Sequence, residues 1–81
     1  MYNINIIEID FDGEVEPARQ FAFDFLPRIN EKIILDDIKG EQTVYKILDV
    51  HFIPGEKINV YVTYDKTLKN VLRSLANQIE Y

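Results

Sequence analysis

The chain has 81 residues and no cysteine, with 14 acidic against 9 basic side chains and 47% apolar residues, which describes one small domain held together by its core. Disulfides and thiolate metal sites are excluded. The net charge of −5 has the wrong sign for neutralising phosphates, so direct contact with nucleic acid or with an anionic membrane surface is disfavoured.

The N-terminal run Met1-Tyr2-Asn3-Ile4-Asn5 lacks the basic residues and apolar stretch of a signal peptide, and no run reaches the roughly 18 apolar residues that span a bilayer. A soluble, cytoplasmic protein is expected. Apolar residues at every second position predict strands over about 2–11, 20–26, 32–37, 43–53 and 57–64, all within a single domain covering 1–81. In the first, Tyr2, Ile4 and Ile6 share one parity and Ile7, Ile9 and Phe11 the other, so the buried face is expected to switch near Ile6-Ile7 through a bulge or a change of sheet. Asp12-Gly13 and Pro17 mark a returning loop, after which Phe21, Phe23 and Phe25 alternate as a half-buried strand. Leu26-Pro27-Arg28-Ile29-Asn30-Glu31 is the sharpest turn signal, with Asn30 suited to a left-handed backbone. Lys39-Gly40-Glu41 leads into the longest strand, where the step from Ile47 to Val50 predicts a bulge near Leu48-Asp49. Pro54-Gly55 turns into the last strand, in which Tyr64, like Tyr45 before it, reads as a core position. Asp65 reads as the N-cap of a helix over about 66–80, whose stripe of Leu68, Val71, Leu72, Leu75 and Ile79 must cover something apolar.

Five short, bent strands with hairpin connections predict a mainly β fold: a five-stranded antiparallel SH3-like small barrel capped by the C-terminal helix. The alternative is an open antiparallel sheet with the helix on one face.

The segment Phe23-Asp24-Phe25-Leu26-Pro27-Arg28-Ile29-Asn30-Glu31-Lys32-Ile33, followed by Tyr45, Ile47, Val50 and His51, resembles small uncharacterised bacterial and phage proteins. Their pattern is a Leu-Pro-Arg-(Val or Ile)-Gly-Glu turn leading into paired strands with a Tyr-x-Val-x-x-Val-x-His-like element. The resemblance covers about half the chain, with Asn30 standing where the pattern has Gly. It implies a barrel-like fold and no assigned activity. Signalling SH3 domains differ, since this chain has no Trp to line a groove for proline-rich ligands.

Candidate sites are few. Glu8, Asp10, Asp12, Glu14 and Glu16 occupy every second position, and in an extended chain such residues share a face at intervals of about 6.6 Å. That rail of carboxylates could imitate a nucleic-acid backbone and enter a basic groove on another protein, with an exposed Tyr61 as a further anchor. The competing reading is a solvated edge whose charges deter aggregation. Asp10-Phe11-Asp12-Gly13-Glu14 offers oxygen ligands but fails the calcium-loop spacing, so no metal or cofactor is expected. His51 has Asp49 two residues away on its strand face, but nothing in the sequence brings Thr63 or Ser74 to it as a nucleophile, and Arg28 could pair with Glu31 or with a carboxylate of a partner. With no catalytic spacing, the chain reads as a non-enzymatic, acidic protein-binding module. A phage or mobile-element inhibitor of a nucleic-acid-handling host protein fits it, and the alternatives are a structural subunit forming homo-oligomers through a strand edge or the helix, or a domain with no inhibitory role.

Overall fold

A computed structural model of the protein describes residues 2–10, 12–55 and 57–78. The predicted strand end at Phe11, the side chain of Leu68, and Ile79 with the predicted helix end at 80 lie outside the described residues. The chain forms β1 (Tyr2–Glu8), β2 (Arg19–Phe23), β3 (Lys32–Asp36), β4 (Gln42–Phe52), β5 (Ile58–Thr67) and α1 (Leu68–Asn77). The strands make one sheet in the order β2-β1-β5-β4-β3, curled into a half-barrel. Among the described residues no helix is long and apolar enough to cross a membrane.

The expected antiparallel barrel is corrected in one essential respect. Strand β1 runs parallel to β5, with Ile4 opposite Ile58 and Glu8 opposite Val62, so the sheet is mixed. A β1–β2 hairpin and a β3-β4-β5 meander are each antiparallel, and among the described residues this parallel seam is the one strand ladder between them. The curl leaves β2 and β3 as edges instead of closing a ring.

The core lies on the concave face. Ile4 and Ile6 of β1, Tyr45 and Ile47 of β4, Val60 and Val62 of β5 and Ile33 of β3 are buried there, and Phe21, Phe23, Leu26, Leu35, Val50 and Ile58 pack half-buried around them. Six of the seven buried residues lie on the three central strands, with Ile33 of the edge strand β3 completing the set. The predicted switch of face in β1 does not occur: its register with β5 runs unbroken through Ile6 and Ile7, from Ile4 opposite Ile58 to Glu8 opposite Val62. Ile7 simply occupies the convex face, half-buried opposite Tyr61. In β4 the register shifts between Ile47 and Asp49, the bulge that the spacing predicts. A further shift between Val44 and Tyr45 leaves Asp65 as the additional residue on β5, since Val44 faces Lys66 and Tyr45 faces Tyr64. Tyr45 is buried, whereas Tyr64 is 39% exposed and is not the core position its alternation suggests.

The turn between β2 and β3 is built from its own residues. Pro27 is buried, the Arg28 backbone N–H donates to Glu31 Oε1 at 2.9 Å, and Asn30 is left-handed with φ of 71°. Arg28 therefore meets Glu31 through its main chain. Asn30 N–H donates to the Ile47 carbonyl and Ile47 N–H donates to the Glu31 carbonyl, both at 2.9 Å, so the turn is stitched to the middle of β4. Because a left-handed conformation costs a residue with a larger side chain about 1–2 kcal/mol more than it costs Asn or Gly, Asn30→Val is expected to lose about that much stability in urea unfolding. Asn30→Gly is expected to change it by less than about 0.5 kcal/mol.

The helix starts later than predicted. Strand β5 runs on past Asp65, whose carboxylate pairs with Lys32 Nζ at 2.9 Å. Thr67 is the N-cap, its hydroxyl accepting from Asn70 N–H at 3.3 Å. Helix α1 meets β4 and β5, but its apolar stripe is only partly covered: Val71 is half-buried, while Leu72 and Leu75 are 55% and 50% exposed. The helix lies on the sheet without sealing the core.

Candidate acidic interaction site

The segment 8–16 is a hairpin folded back on itself, which corrects the straight rail. Ile9 bridges Val15, Asp10 N–H donates to the Glu14 carbonyl at 2.9 Å, and Glu16 N–H donates to the Glu8 carbonyl at 2.8 Å. Gly13, with φ of 83°, donates back to the Asp10 carbonyl at 2.9 Å and allows the reversal. Asp10, Glu14 and Glu16 are thereby brought together, with carboxylate oxygens within 4.8 Å of one another. Asp12 is exposed near the tip, and Glu8 turns toward the concave face opposite Val62.

Like charges at this separation resist full ionisation. A side-chain hydrogen bond with Asp10 and the negative charge of Asp10 hold the Glu16 carboxyl above its ordinary value of 4.5, with smaller pushes from burial and from Glu8 and Glu14. These are hard oxygen donors, and they form the one group among the described residues whose geometry could hold a divalent cation.

Strand direction brings a second acidic hairpin to the same end of the sheet. Asp36, Asp37 and Glu41 surround the β3–β4 turn, where Asp37 Oδ1 accepts the N–H groups of Lys39 and Glu41 at 2.8 and 2.9 Å. Arg19, at the start of β2, reaches across the open side of the half-barrel and donates to the Asp36 carbonyl at 2.7 Å. Its guanidinium also lies 5.3 Å from the centre of the Phe21 ring. Burial, then the charge of Glu8, holds the Tyr45 phenol above its ordinary 10.0, while Arg19 opposes the shift and Asp37 adds to it. The site therefore joins Glu8, Asp10, Asp12, Glu14 and Glu16 with Asp36, Asp37 and Glu41, while Arg19 and Lys39 are the only cations in those two hairpin segments.

Tyr61 is not part of this end. It is half-buried on the convex face, away from Glu8, with its ring 4.6 Å from that of His51. His51 Nε2 lies 3.0 Å from Asp49 Oδ2, and this hydrogen bond, then that from Val50 N–H, holds the Asp49 carboxyl below its ordinary value of 3.8. The pair is open to solvent, and Thr63, whose hydroxyl donates to the Ile9 carbonyl at 3.2 Å, lies four residues along β5 from Asn59, the residue opposite His51. Sequence reading missed Asp36, Asp37, Glu41 and Arg19. The first three appear in the sequence as ordinary turn acids, and only the strand polarities place their turn at the same end of the sheet as the first hairpin. Comparison with known proteins finds no family model, no curated protein and no solved structure that matches the chain.

Proposed function

We propose that the protein is a small non-catalytic binding module whose acidic end docks on a basic surface of a protein partner. The supporting observation is the convergence of two acidic hairpins at one end of the half-barrel, bridged by Arg19. Proteins that handle nucleic acid carry basic grooves shaped for regularly spaced phosphates, and a compact set of carboxylates competes for such grooves with the same electrostatics. Such a module, encoded by a phage or mobile element, would act as an inhibitor by occupying the groove. Steering by charge speeds encounter and is screened by salt, so affinity for the partner is expected to fall steeply as ionic strength rises.

The experiment is competition: the protein is titrated into complexes of labelled duplex DNA with a panel of basic nucleic-acid-binding proteins, and DNA release is followed by fluorescence anisotropy. Release by the parent, and a loss of at least tenfold on replacing Asp10, Asp12 and Glu14 by Asn, Asn and Gln, is the expected result. Equal potency of the folded triple variant would rule out a role for these carboxylates.

A further inference from the structure

Strand β3 is an edge with an unusual composition, Lys32-Ile33-Ile34-Leu35-Asp36. Natural edges are commonly blunted by charge, proline or a bulge. Here the middle of the edge is apolar on both faces: Ile33 and Leu35 face the core, and Ile34 stands 52% exposed on the convex side. The hydrogen-bonding parity of this edge follows from its neighbours. Ile47 N–H donates to the Glu31 carbonyl and Asp37 N–H donates to the Glu41 carbonyl, so the odd-numbered residues turn their backbone groups toward β4. Lys32, Ile34 and Asp36 turn theirs outward, and the Asp36 carbonyl indeed accepts from Arg19 across the open side.

We infer that β3 pairs antiparallel with β3 of a second copy of this chain, in a two-fold register centred on Ile34. The five residues are self-complementary in that register. Lys32 falls opposite Asp36 of the second copy, Ile33 opposite Leu35, and Ile34 opposite Ile34. The directly opposed residues that exchange backbone hydrogen bonds are then 32 with 36, 34 with 34 and 36 with 32, which are the residues whose groups point outward. A slip by one residue would oppose inward-facing and outward-facing groups and lose these bonds. A slip by two would leave one lysine or one aspartate in each strand without its opposite charge. Cross-strand pairs of opposite charge are favourable and like pairs are not, so charge selects the centred register. Lys32 already pairs with Asp65 on the same face and can serve both carboxylates, since an ammonium has three donors. Arg19 and a backbone N–H can share Asp36, because a carbonyl oxygen has two lone pairs.

The two-fold axis also inverts the second copy end for end. The acidic hairpins therefore lie at opposite extremities of the pair, which keeps the two net charges of −5 apart. An interface of five residues per side is small, so association is expected with a Kd of about 10–100 µM.

Sedimentation equilibrium over a concentration series tests this, with monomer passing to dimer as the expected result and a monomer at every concentration up to about 1 mM overturning it. In the folded parent, amide hydrogen exchange should slow with concentration at Lys32, Ile34 and Asp36, while Ile33 and Leu35 stay as they are. Protection gained elsewhere and not at these three would overturn the assignment. Ile34→Lys sets two ammonium groups against each other on the axis, and Asp36→Lys sets one against Lys32 of the second copy. Each is expected to weaken association at least tenfold, and the double change Lys32→Glu with Asp36→Lys to restore it to within about threefold of the parent. A dimer that survives Ile34→Lys undiminished would show that another surface holds it.

Discussion

With Asp10, Glu14 and Glu16 replaced by Asn, Gln and Gln, the protein is expected to melt a few degrees higher at pH 7 while losing its affinity for a basic partner. The three carboxylates are held within 4.8 Å by a tight hairpin whose backbone hydrogen bonds do not depend on their charge. Neutral amides keep the shape and remove the repulsion. Sites assembled for binding commonly cost stability, so an opposite movement of the two properties is the signature of a functional cluster. The pH dependence carries the same sign. Because the native Glu16 carboxyl sits above its ordinary 4.5, the folded protein takes up this proton before the unfolded chain does. Its contribution to stability therefore grows as pH falls from neutrality through the raised value, and is complete below 4.5. Asp49 acts oppositely: it is held below 3.8, so its contribution is present above 3.8 and is lost as pH falls through its lowered native value. Thermal unfolding followed from pH 7 down to 4.5 should show the parent gaining and the triple variant gaining less. A triple variant that melts below the parent at pH 7 would contradict the reading.

Ile47→Ala is expected to be the most damaging single truncation, costing about 3 kcal/mol and lowering the melting temperature by roughly 10–20 °C. Ile47 is fully buried on β4 opposite Val62, and a bulge follows it immediately. Its backbone also receives the β2–β3 turn through both its N–H and its carbonyl. A cavity there cannot relax by moving the strand without dragging the turn. Leu72→Ala with Leu75→Ala makes the contrasting variant. If α1 sealed the core, the pair would cost at least about 4 kcal/mol. With half of each side chain already in water, the pair is expected to cost about 2 kcal/mol, read from urea unfolding of this variant beside Ile47→Ala.

The residues that alternate in the sequence are the ones that pair in the sheet, because a period of two follows from the pleat alone. The step from Ile47 to Val50 likewise exposed the bulge, since an additional residue must break that period. Strand polarity leaves no such trace. Ile4, Ile6 and Ile58, Val60 would look the same in a parallel or an antiparallel pair, and the parallel seam came from tertiary context that no local pattern carries. The two isoleucine parities of β1 misled for a related reason: a central strand has two faces to cover, and Ile7 fills the convex one opposite Tyr61. Asp65 resembled a helix cap in composition but is the bulged residue of β5, and the cap falls two residues later at Thr67. The acidic alternation was visible, whereas its meaning was not. Alternation describes an extended chain, and Asp12-Gly13 makes this one a hairpin, so carboxylates that should march apart converge.

The seam between β1 and β5 also sets an order of events during synthesis. Ile4 pairs with Ile58, so β1 lacks its native inner neighbour until β5 has been made. Until β5 has left the ribosome, the hairpin of β1 and β2 has one strand face turned to nothing, and the β3-β4 pair has no partner through which to reach it. Nascent chains halted just before Ile58 should thus be digested readily by protease, and those halted well beyond Thr67 should resist it.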